Sequence, residues 1–238
     1  MNTDTLDPVL ADAASTPPAD HRALDWAGLE RLAARAPVAA GYRLTLIDRA
    51  EVDAVIAFIT RWYPDVSVGS ASSYLQPAFY EQQVWFAGGP RRDEVVAALK
   101  HGDELVGVYS FACDREALCV HARLGVAAPA HRGARLAFGG IAFTETAARR
   151  LGMGIVYGMA TLKAPHAQRA FERAGWQLIG IAPGFDREMV APGVVKRVFE
   201  ALYAKALVGE GGLVSPNLHN MTQRTREVFR LLFCAAAG

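Results

Sequence analysis

The sequence predicts an α/β fold, because segments that alternate like strands are interleaved with segments whose apolar residues have helical spacing. Residues 95–111 have the pattern of a β-hairpin, with Gly102 in the turn. A strand at 118–126 runs into a basic turn and then into a long helix that ends near Leu151. A short buried strand at 154–160 precedes another helix. This order of elements predicts a central sheet with helices packed on it.

The remaining elements have signals of their own. Apolar spacing predicts helices at residues 25–36, 49–62 and 222–233. Alternation predicts strands at residues 42–47, 176–181 and about 194–204, the last two separated by a connection at 183–188. Gly139 and Gly140 lie inside the long helix, where each costs about 1 kcal/mol relative to alanine. We therefore expect these glycines to be compensated by close packing against the sheet.

Composition narrows the class of partner. The chain has 238 residues, 52% of them hydrophobic, which predicts a well-filled interior. Its formal net charge is +1, with basic and acidic residues scattered in nearly equal numbers. This balance gives no reason to expect nucleic acid or an anionic membrane as a partner. A small molecule is expected instead, and no run of about twenty apolar residues indicates a membrane span.

The cysteines predict a reduced, metal-free protein. The three cysteines lack paired spacing, and the N-terminal segment 1–20 lacks an apolar run of signal-peptide length, so a cytoplasmic location is expected. Cys119 and His121 together would supply two ligands, whereas a structural zinc ion normally takes four. We therefore predict no metal. Residues 1–20 are expected to be disordered.

The most informative stretch is residues 124–137, where an apolar strand meets the basic turn that opens the long helix. Backbone amides at such a helix N-terminus favour an anion such as phosphate. The segment resembles the acyl-CoA pyrophosphate loop of the GCN5-related N-acetyltransferases, in which a Leu-x-Val strand end precedes Arg/Gln-x-x-Gly-x-Gly/Ala. The matching residues are Leu124-Gly125-Val126 and Arg132-Gly133-Ala134-Arg135-Leu136-Ala137. Arg135 stands in place of the central glycine.

The resemblance continues into the next helix. Family members often show Asn-x-x-Ala-x-x-x-Tyr-x-x-x-Gly-Phe there, and the corresponding positions are Ala164, Ala167, Phe171, Gly175 and Trp176. The asparagine and the tyrosine are absent. In many family members the tyrosine protonates the departing CoA thiolate, and Phe171 has no proton to give. Water or another hydroxyl would have to serve.

The resemblance, which covers about residues 42–207, implies a mixed, mostly antiparallel central sheet flanked by helices. It also implies a partly disordered N-terminal extension (1–40), an acyltransferase domain (41–208) and a C-terminal helical extension (209–238). Acetyl-CoA or another acyl-CoA is the expected donor, and a small-molecule amine the expected acceptor. The expected donor-binding residues are Leu124, Gly125, Val126, His131, Arg132, Gly133, Ala134, Arg135, Leu136, Ala137 and Phe171.

His121 is the candidate general base, because its unperturbed pKa near 6.5 suits proton transfer. Arylalkylamine-type members of the family also place histidines on this strand. Alternation places His121 on one face with Cys119 and Arg123. The opposite, apolar face is predicted to contain Leu118, Val120, Ala122, Leu124 and Val126. The expected mechanism is direct attack of the amine on the thioester, with no acyl group carried by Cys119.

The sequence leaves several points open. Asp186 and Glu188 could bind an ammonium group or be surface acids. The aromatic residues of 58–86 either fill the core or line a large apolar pocket. If they line a pocket, a long-chain acyl or acyl-carrier-protein donor is an alternative to acetyl-CoA. Because the asparagine, the tyrosine and the central glycine of the family pattern are missing, a non-catalytic acyl-CoA-binding or regulatory module is a further alternative. The C-terminal helix at 222–233 could form a homodimer.

Overall fold

A single seven-stranded sheet organises the computed structural model, which describes residues 24–132 and 136–234. The strands are β1 (Tyr42–Leu46), β2 (Glu94–His101), β3 (Glu104–Asp114), β4 (Cys119–Ala127), β5 (Ile155–Thr161), β6 (Gln177–Ala191) and β7 (Val194–Ala206). The helices are α1 (Trp26–Ala34), α2 (Val52–Trp62), α3 (Pro77–Gln83), α4 (Leu136–Arg150), α5 (His166–Arg173) and α6 (Gln223–Phe233). The sheet order is β1-β2-β3-β4-β5-β7-β6. Only the β4–β5 pair is parallel, so the predicted mixed, mostly antiparallel sheet is confirmed.

Local sequence signals explain most element boundaries. Gly102 has φ of 60° in the turn between β2 and β3, a conformation that glycine adopts without strain. Asp25 caps α1 by accepting a 2.7 Å hydrogen bond from the amide of Gly28. The prediction of disorder at 1–20 falls outside the described residues. Within the described part of the chain, no helix is long and apolar enough to cross a membrane.

Each face of the sheet carries its own apolar cluster. One cluster packs α1, α4 and α5 on the sheet, and the other packs α2 and α3 on the opposite face. Most aromatic residues of the segment 58–86 are buried in these clusters: Phe58, Tyr74, Tyr80, Trp85 and Phe86. The aromatic residues of this segment therefore mainly stabilise the core.

The predicted connection at 183–188 is wrong, because β6 runs unbroken from Gln177 to Ala191 and turns at Gly193 instead. Bulges interrupt its pairing with β7, and one of them spans Ala182 to Asp186. A bulge tolerates Pro183, which has no amide to donate to the ladder. The Pro-Gly pair therefore bends the strand without ending it.

The two glycines of α4 are confirmed as points of close approach. A Cβ atom on Gly140 would lie 2.6 Å from two ring carbons of Tyr109 in β3, and one on Gly139 would lie 2.5 Å from Val38. Such distances are shorter than ordinary packing contacts, so a side chain at either position forces its neighbours to move. Gly140 therefore allows α4 to lie directly on the sheet, as expected, whereas Gly139 allows it to approach the segment between α1 and β1.

Substitution of Gly140 by alanine is expected to destabilise the protein by about 1–2 kcal/mol. Overpacking costs roughly 1–3 kcal/mol, and a Cβ atom 2.6 Å from the buried Tyr109 ring places this site in the upper part of that range, so about 1–2 kcal/mol remains after the gain of about 1 kcal/mol in helix propensity. Calorimetry should show Tm lowered by about 5 °C. Gly180→Ala is the matched control, because a Cβ atom there meets nothing within 4 Å. An unchanged Tm for Gly140→Ala would contradict this packing.

Candidate active site

A wedge-shaped gap opens between the two parallel strands in the middle of the sheet. β4 and β5 pair from Cys119↔Ile155 to Ala122↔Gly158 and then part. Beyond that point β4 follows its partner β3 and β5 follows its partner β7, since each keeps its antiparallel ladder. Within the described residues no strand pairs with the facing edges of 123–127 and 159–161. Apart from the carbonyls of Ala127 and Thr161, which accept from the side chains of Arg132 and Gln168, these edges can hydrogen-bond an extended ligand inserted between them.

A bulge in β4 sits at the start of this gap. The pairing with β3 shifts from Phe111↔Ala122 to Ser110↔Leu124, so Arg123 is an extra residue in β4. The bulge reverses the alternation of the residues after it. The predicted single apolar face is therefore wrong: Val120 packs beneath α4 and α5, whereas Leu124 and Val126 pack beneath α2. Leu118 precedes β4 and is half exposed.

His121 lies one residue before the end of the paired region. It is opposite Tyr157 of β5, and their rings stack with centroids 4.6 Å apart. Burial and the positive charge of Arg123 lower the pKa of His121 to about 4, so the imidazole is neutral near pH 7. Burial raises the pKa of the neighbouring Cys119 thiol, which keeps that group protonated and unreactive.

The basic turn lies where β4 ends and α4 begins. His131 belongs to the one-turn 3₁₀ segment Pro129–His131, and its Nδ1 lies 2.9 Å from the hydroxyl of Tyr42. Arg132 is exposed and donates from Nε to the carbonyl of Ala127 at 3.1 Å. The predictions for Gly133, Ala134 and Arg135 fall outside the described residues. The turn therefore adjoins the open end of β4.

Two further predicted donor-binding residues contribute their side chains to the core. Leu136 begins α4 and is buried, while Ala137 beside it is exposed. Phe171 is 6% exposed and stacks between Trp176 and Tyr203. The Phe171 ring also underlies Gly158, where a Cβ atom would lie 2.7 Å from it. Phe171 thus packs under the apex of the gap without offering a hydroxyl.

A mainly polar cavity of about 400 Å³ opens on the α2 side of the sheet, next to His121. It is lined by Ser70, Ser73, Phe79, Gln83, Asp93, Glu94, Ala112 and Arg123. Of the aromatic residues at 58–86, only Phe79 reaches it. The structure thus contradicts the reading in which these rings line a large apolar pocket.

Glu94 is an ionisable group of this cavity that sequence reasoning missed. It is 4% exposed, accepts a hydrogen bond from the Tyr74 hydroxyl and lies 3.6 Å from Nη1 of Arg123. Burial raises the pKa of Glu94 to about 7 against the opposing effects of Tyr74 and Arg123. An acid at the start of the apolar run 95–99 was the available signal, but a strand-end acid is usually exposed.

A second group of acids lies on the same side of the sheet, beyond β5. Glu188 is 4% exposed, so it is not a surface acid, and it accepts hydrogen bonds from the Tyr63 hydroxyl at 3.3 Å and from Nζ of Lys163 at 2.7 Å. The carboxylate of Asp186 accepts hydrogen bonds from the amide and the hydroxyl of Ser70, at 2.9 and 2.6 Å. These contacts hold the segment after α2 over β6.

Comparison with known proteins gives agreement in structure alone. The sequence matches no protein-family profile and no curated protein. Mutant forms of the spermidine/spermine N-acetyltransferase SpeG from Vibrio cholerae are 12% identical, with a TM-score of 0.55 over 71% of this chain and 95% of theirs.

Two other solved structures agree over a similar length. YncA from Salmonella typhimurium, a putative acetyltransferase solved with acetyl-CoA, is 16% identical, with a TM-score of 0.53 over 75% of this chain and 99% of its own. RimL, a ribosomal-protein α-N-acetyltransferase solved with coenzyme A, is 13% identical, with a TM-score of 0.53 over 72% of this chain and 97% of its own.

Proposed function

Because this chain has the fold of the GCN5-related N-acetyltransferases, we propose that it is an acyl-CoA-dependent N-acyltransferase that transfers acetyl from acetyl-CoA to a small-molecule amine. The observation that carries the proposal is the parting of β4 and β5 beyond Ala122 and Gly158. The gap is a slot with free backbone groups on both edges, which suits the extended, amide-containing pantetheine arm of CoA.

The donor would lie along the open part of β4. The backbone of Leu124, Gly125 and Val126 would bond the pantetheine amides, since the side chains of Leu124 and Val126 are buried in the core. Gly125 is exposed and has no side chain to obstruct the slot. The pyrophosphate would bind at residues 131–137, where Arg132 supplies an exposed positive charge next to the start of α4.

The proposed reaction is a direct transfer. The neutral amine attacks the thioester carbonyl, the C–N bond forms, and the C–S bond breaks to release CoA as the thiolate. His121 takes the proton from the attacking nitrogen, directly or through water, and passes it to solvent. In the tetrahedral intermediate this N–H is more acidic than that of a free ammonium ion, which favours its transfer to the neutral imidazole although the pKa of His121 is lowered to about 4. Water protonates the thiolate, because Phe171 has no hydroxyl.

A non-catalytic acyl-CoA-binding module is the second candidate, and the position of Phe171 is the observation that favours it. Its ring occupies the site under the gap without an acidic proton, and it is stacked into the core. A long-chain donor loses its support, because the aromatic residues that suggested it pack mainly in the core. Turnover separates the enzyme from the module.

Calorimetric titration with acetyl-CoA and an acetyl-transfer assay over a panel of amines test the proposal. Arg132→Ala should weaken acetyl-CoA binding about tenfold, which is the effect of losing one charge-assisted contact. Arg150→Ala, an exposed arginine at the other end of α4, is the matched control and should bind normally. Binding without transfer would favour the non-catalytic module, and no binding would contradict both.

A further inference from the structure

The strand next to the gap carries a buried acid that has no partner. Glu200 of β7 is 8% exposed, and its carboxylate makes no hydrogen bond or ion pair with any residue in 24–132 or 136–234. Ala201 and Tyr203 belong to the cluster on the α4 and α5 side. Alternation therefore turns Glu200 toward the opposite side of the sheet, the side of the cavity and of Tyr63.

The surroundings of Glu200 are acidic. Burial, followed by the negative charges of Glu188 and Asp186, raises the pKa of Glu200 to about 7. Within residues 24–132 and 136–234, the cation that forms ion pairs with this group is Lys163, whose Nζ lies 2.7 Å from Glu188 and 2.5 Å from Asp65. Lys163 is therefore already shared between two carboxylates. A carboxyl group this buried either stays protonated or is ionised with a positive charge beside it.

The position of Glu200 relates it to the gap. Glu200 is opposite Thr161, the last residue of β5, and β5 forms one edge of the gap. Adjacent strands are roughly 5 Å apart, so Glu200 lies one strand away from the slot. His121 is opposite Tyr157, four residues earlier on β5, or roughly 13 Å along the strand. The side chains of Glu200 and His121 both extend from the sheet, so their polar ends can lie closer together than their backbones do.

The positive charge that would balance an ionised Glu200 is that of an organic cation. Within residues 24–132 and 136–234, no group of three or more histidine, cysteine, aspartate or glutamate side chains is arranged to hold a metal ion. An ammonium group needs fewer ligands, and a carboxylate beside the Tyr63 and Glu188 pair provides charge and hydrogen-bond acceptors.

We propose that Glu200 binds a second ammonium group of the acceptor, so that the preferred acceptor is a diamine whose other, neutral amine is acylated next to His121. The inference rests on the proposed function for the reacting amine. The ammonium end would bind at Glu200, with Glu188 and Asp186 adding negative charge, and the methylene chain between the two nitrogens would lie along β5. Glu200 is then a specificity residue rather than a catalytic one.

The test compares the acetylated product of a diamine with that of the matching monoamine in the absence of any acyl-CoA, because a free monoamine is itself an ammonium ion at pH 8 and would also bind Glu200. N-acetylcadaverine, which keeps one ammonium group, and N-pentylacetamide, which has none, are titrated calorimetrically against the full chain at about pH 8, above the pKa of Glu200. The wild type should bind N-acetylcadaverine about tenfold more tightly. Glu200→Gln should abolish that preference and leave N-pentylacetamide binding unchanged. The control Glu104→Gln, which removes an exposed acid at the start of β3, should keep it.

The Tm of the same variants shows whether they are folded. Glu200→Gln should raise Tm at about pH 8, because it removes an unpartnered buried charge. Equal binding of the two amides by the wild type, or equal weakening of both in Glu200→Gln, would overturn the inference. The titration does not depend on turnover: diamine preference without acetyl-CoA binding would sink the proposed function and keep the subsite, whereas acetyl transfer without diamine preference would do the reverse.

Discussion

Replacing His121 with alanine is expected to lower kcat for acetyl transfer by about 10²-fold or more, the usual effect of removing a general base. Acetyl-CoA affinity should be nearly unchanged, since the donor is expected along the backbone of 124–126. Initial rates with a saturating amine measure the effect. His166→Ala is the matched control, because His166 is exposed at the start of α5.

The pH profile separates this role from a structural one. The pKa of His121 is lowered to about 4, so the base is neutral and competent at every pH well above that value. Activity limited by His121 is lost only as pH falls through about 4. Between about pH 5 and 8, kcat/KM for a monoamine acceptor, which does not need Glu200 to be ionised, should therefore follow the ionisation of the amine alone. An enzyme-derived limb near pH 6.5, or full activity of His121→Ala, would contradict the assignment.

Arg123→Ala is expected to destabilise the protein by about 1–2 kcal/mol at about pH 8. Arg123 provides the positive charge 3.6 Å from the carboxylate of Glu94, and its guanidinium also lies 5.7 Å from the centre of the Tyr74 ring. Without it, the pKa of Glu94 rises further, and the folded protein must keep protonated a 4% exposed carboxyl group that is ionised in the unfolded chain. The hydroxyls of Tyr74 and Ser110 are then its remaining partners. Urea unfolding measures the loss.

The direction of the pH effect follows from the pKa of Glu94, which is raised from 4.5 to about 7 in the folded protein. The folded state binds this proton more tightly than the unfolded state, so the free energy of unfolding falls as pH rises from about 4.5 through 7. At about pH 4, Glu94 is neutral in both states and Arg123→Ala should cost much less.

A double variant controls for the loss of packing. Glu94→Gln combined with Arg123→Ala should recover most of the lost stability at about pH 8, because the amide carries no charge that needs Arg123. Glu94→Gln alone should also flatten the pH dependence of unfolding. A double variant as unstable as Arg123→Ala alone would show that the ion pair is not the cause.

Local patterns predicted the order of elements well, because those patterns report local physics. Gly102 marks the hairpin between β2 and β3, and Gly140 of α4 lies against the sheet as expected, whereas Gly139 lies against Val38 instead. Pro183 and Arg123 were misjudged for one shared reason. Both lie in bulges, which depend on how a strand pairs with its neighbours and leave no clear mark in the strand's own sequence.

The candidate site was predictable only in part. The turn at Arg132 and the strand residue His121 stand out because their residue types suit anions and proton transfer. Glu94 and Glu200 do not, because each is a single acid beside apolar residues, and only the pairing of distant strands shows that both are buried. The burial that shifts the pKa of each acid to about 7 is a tertiary effect.

The central claim is that an acyl-CoA binds in the gap between β4 and β5, and amide hydrogen exchange with and without acetyl-CoA tests it most directly. The open edges at 123–127 and 159–161 should exchange more slowly when acetyl-CoA is added, because their free amides become hydrogen-bonded or shielded. Residues of α6, on the far side of β6, serve as the internal reference. Unchanged exchange at both edges under saturating acetyl-CoA, or protection confined to another surface, would contradict the account.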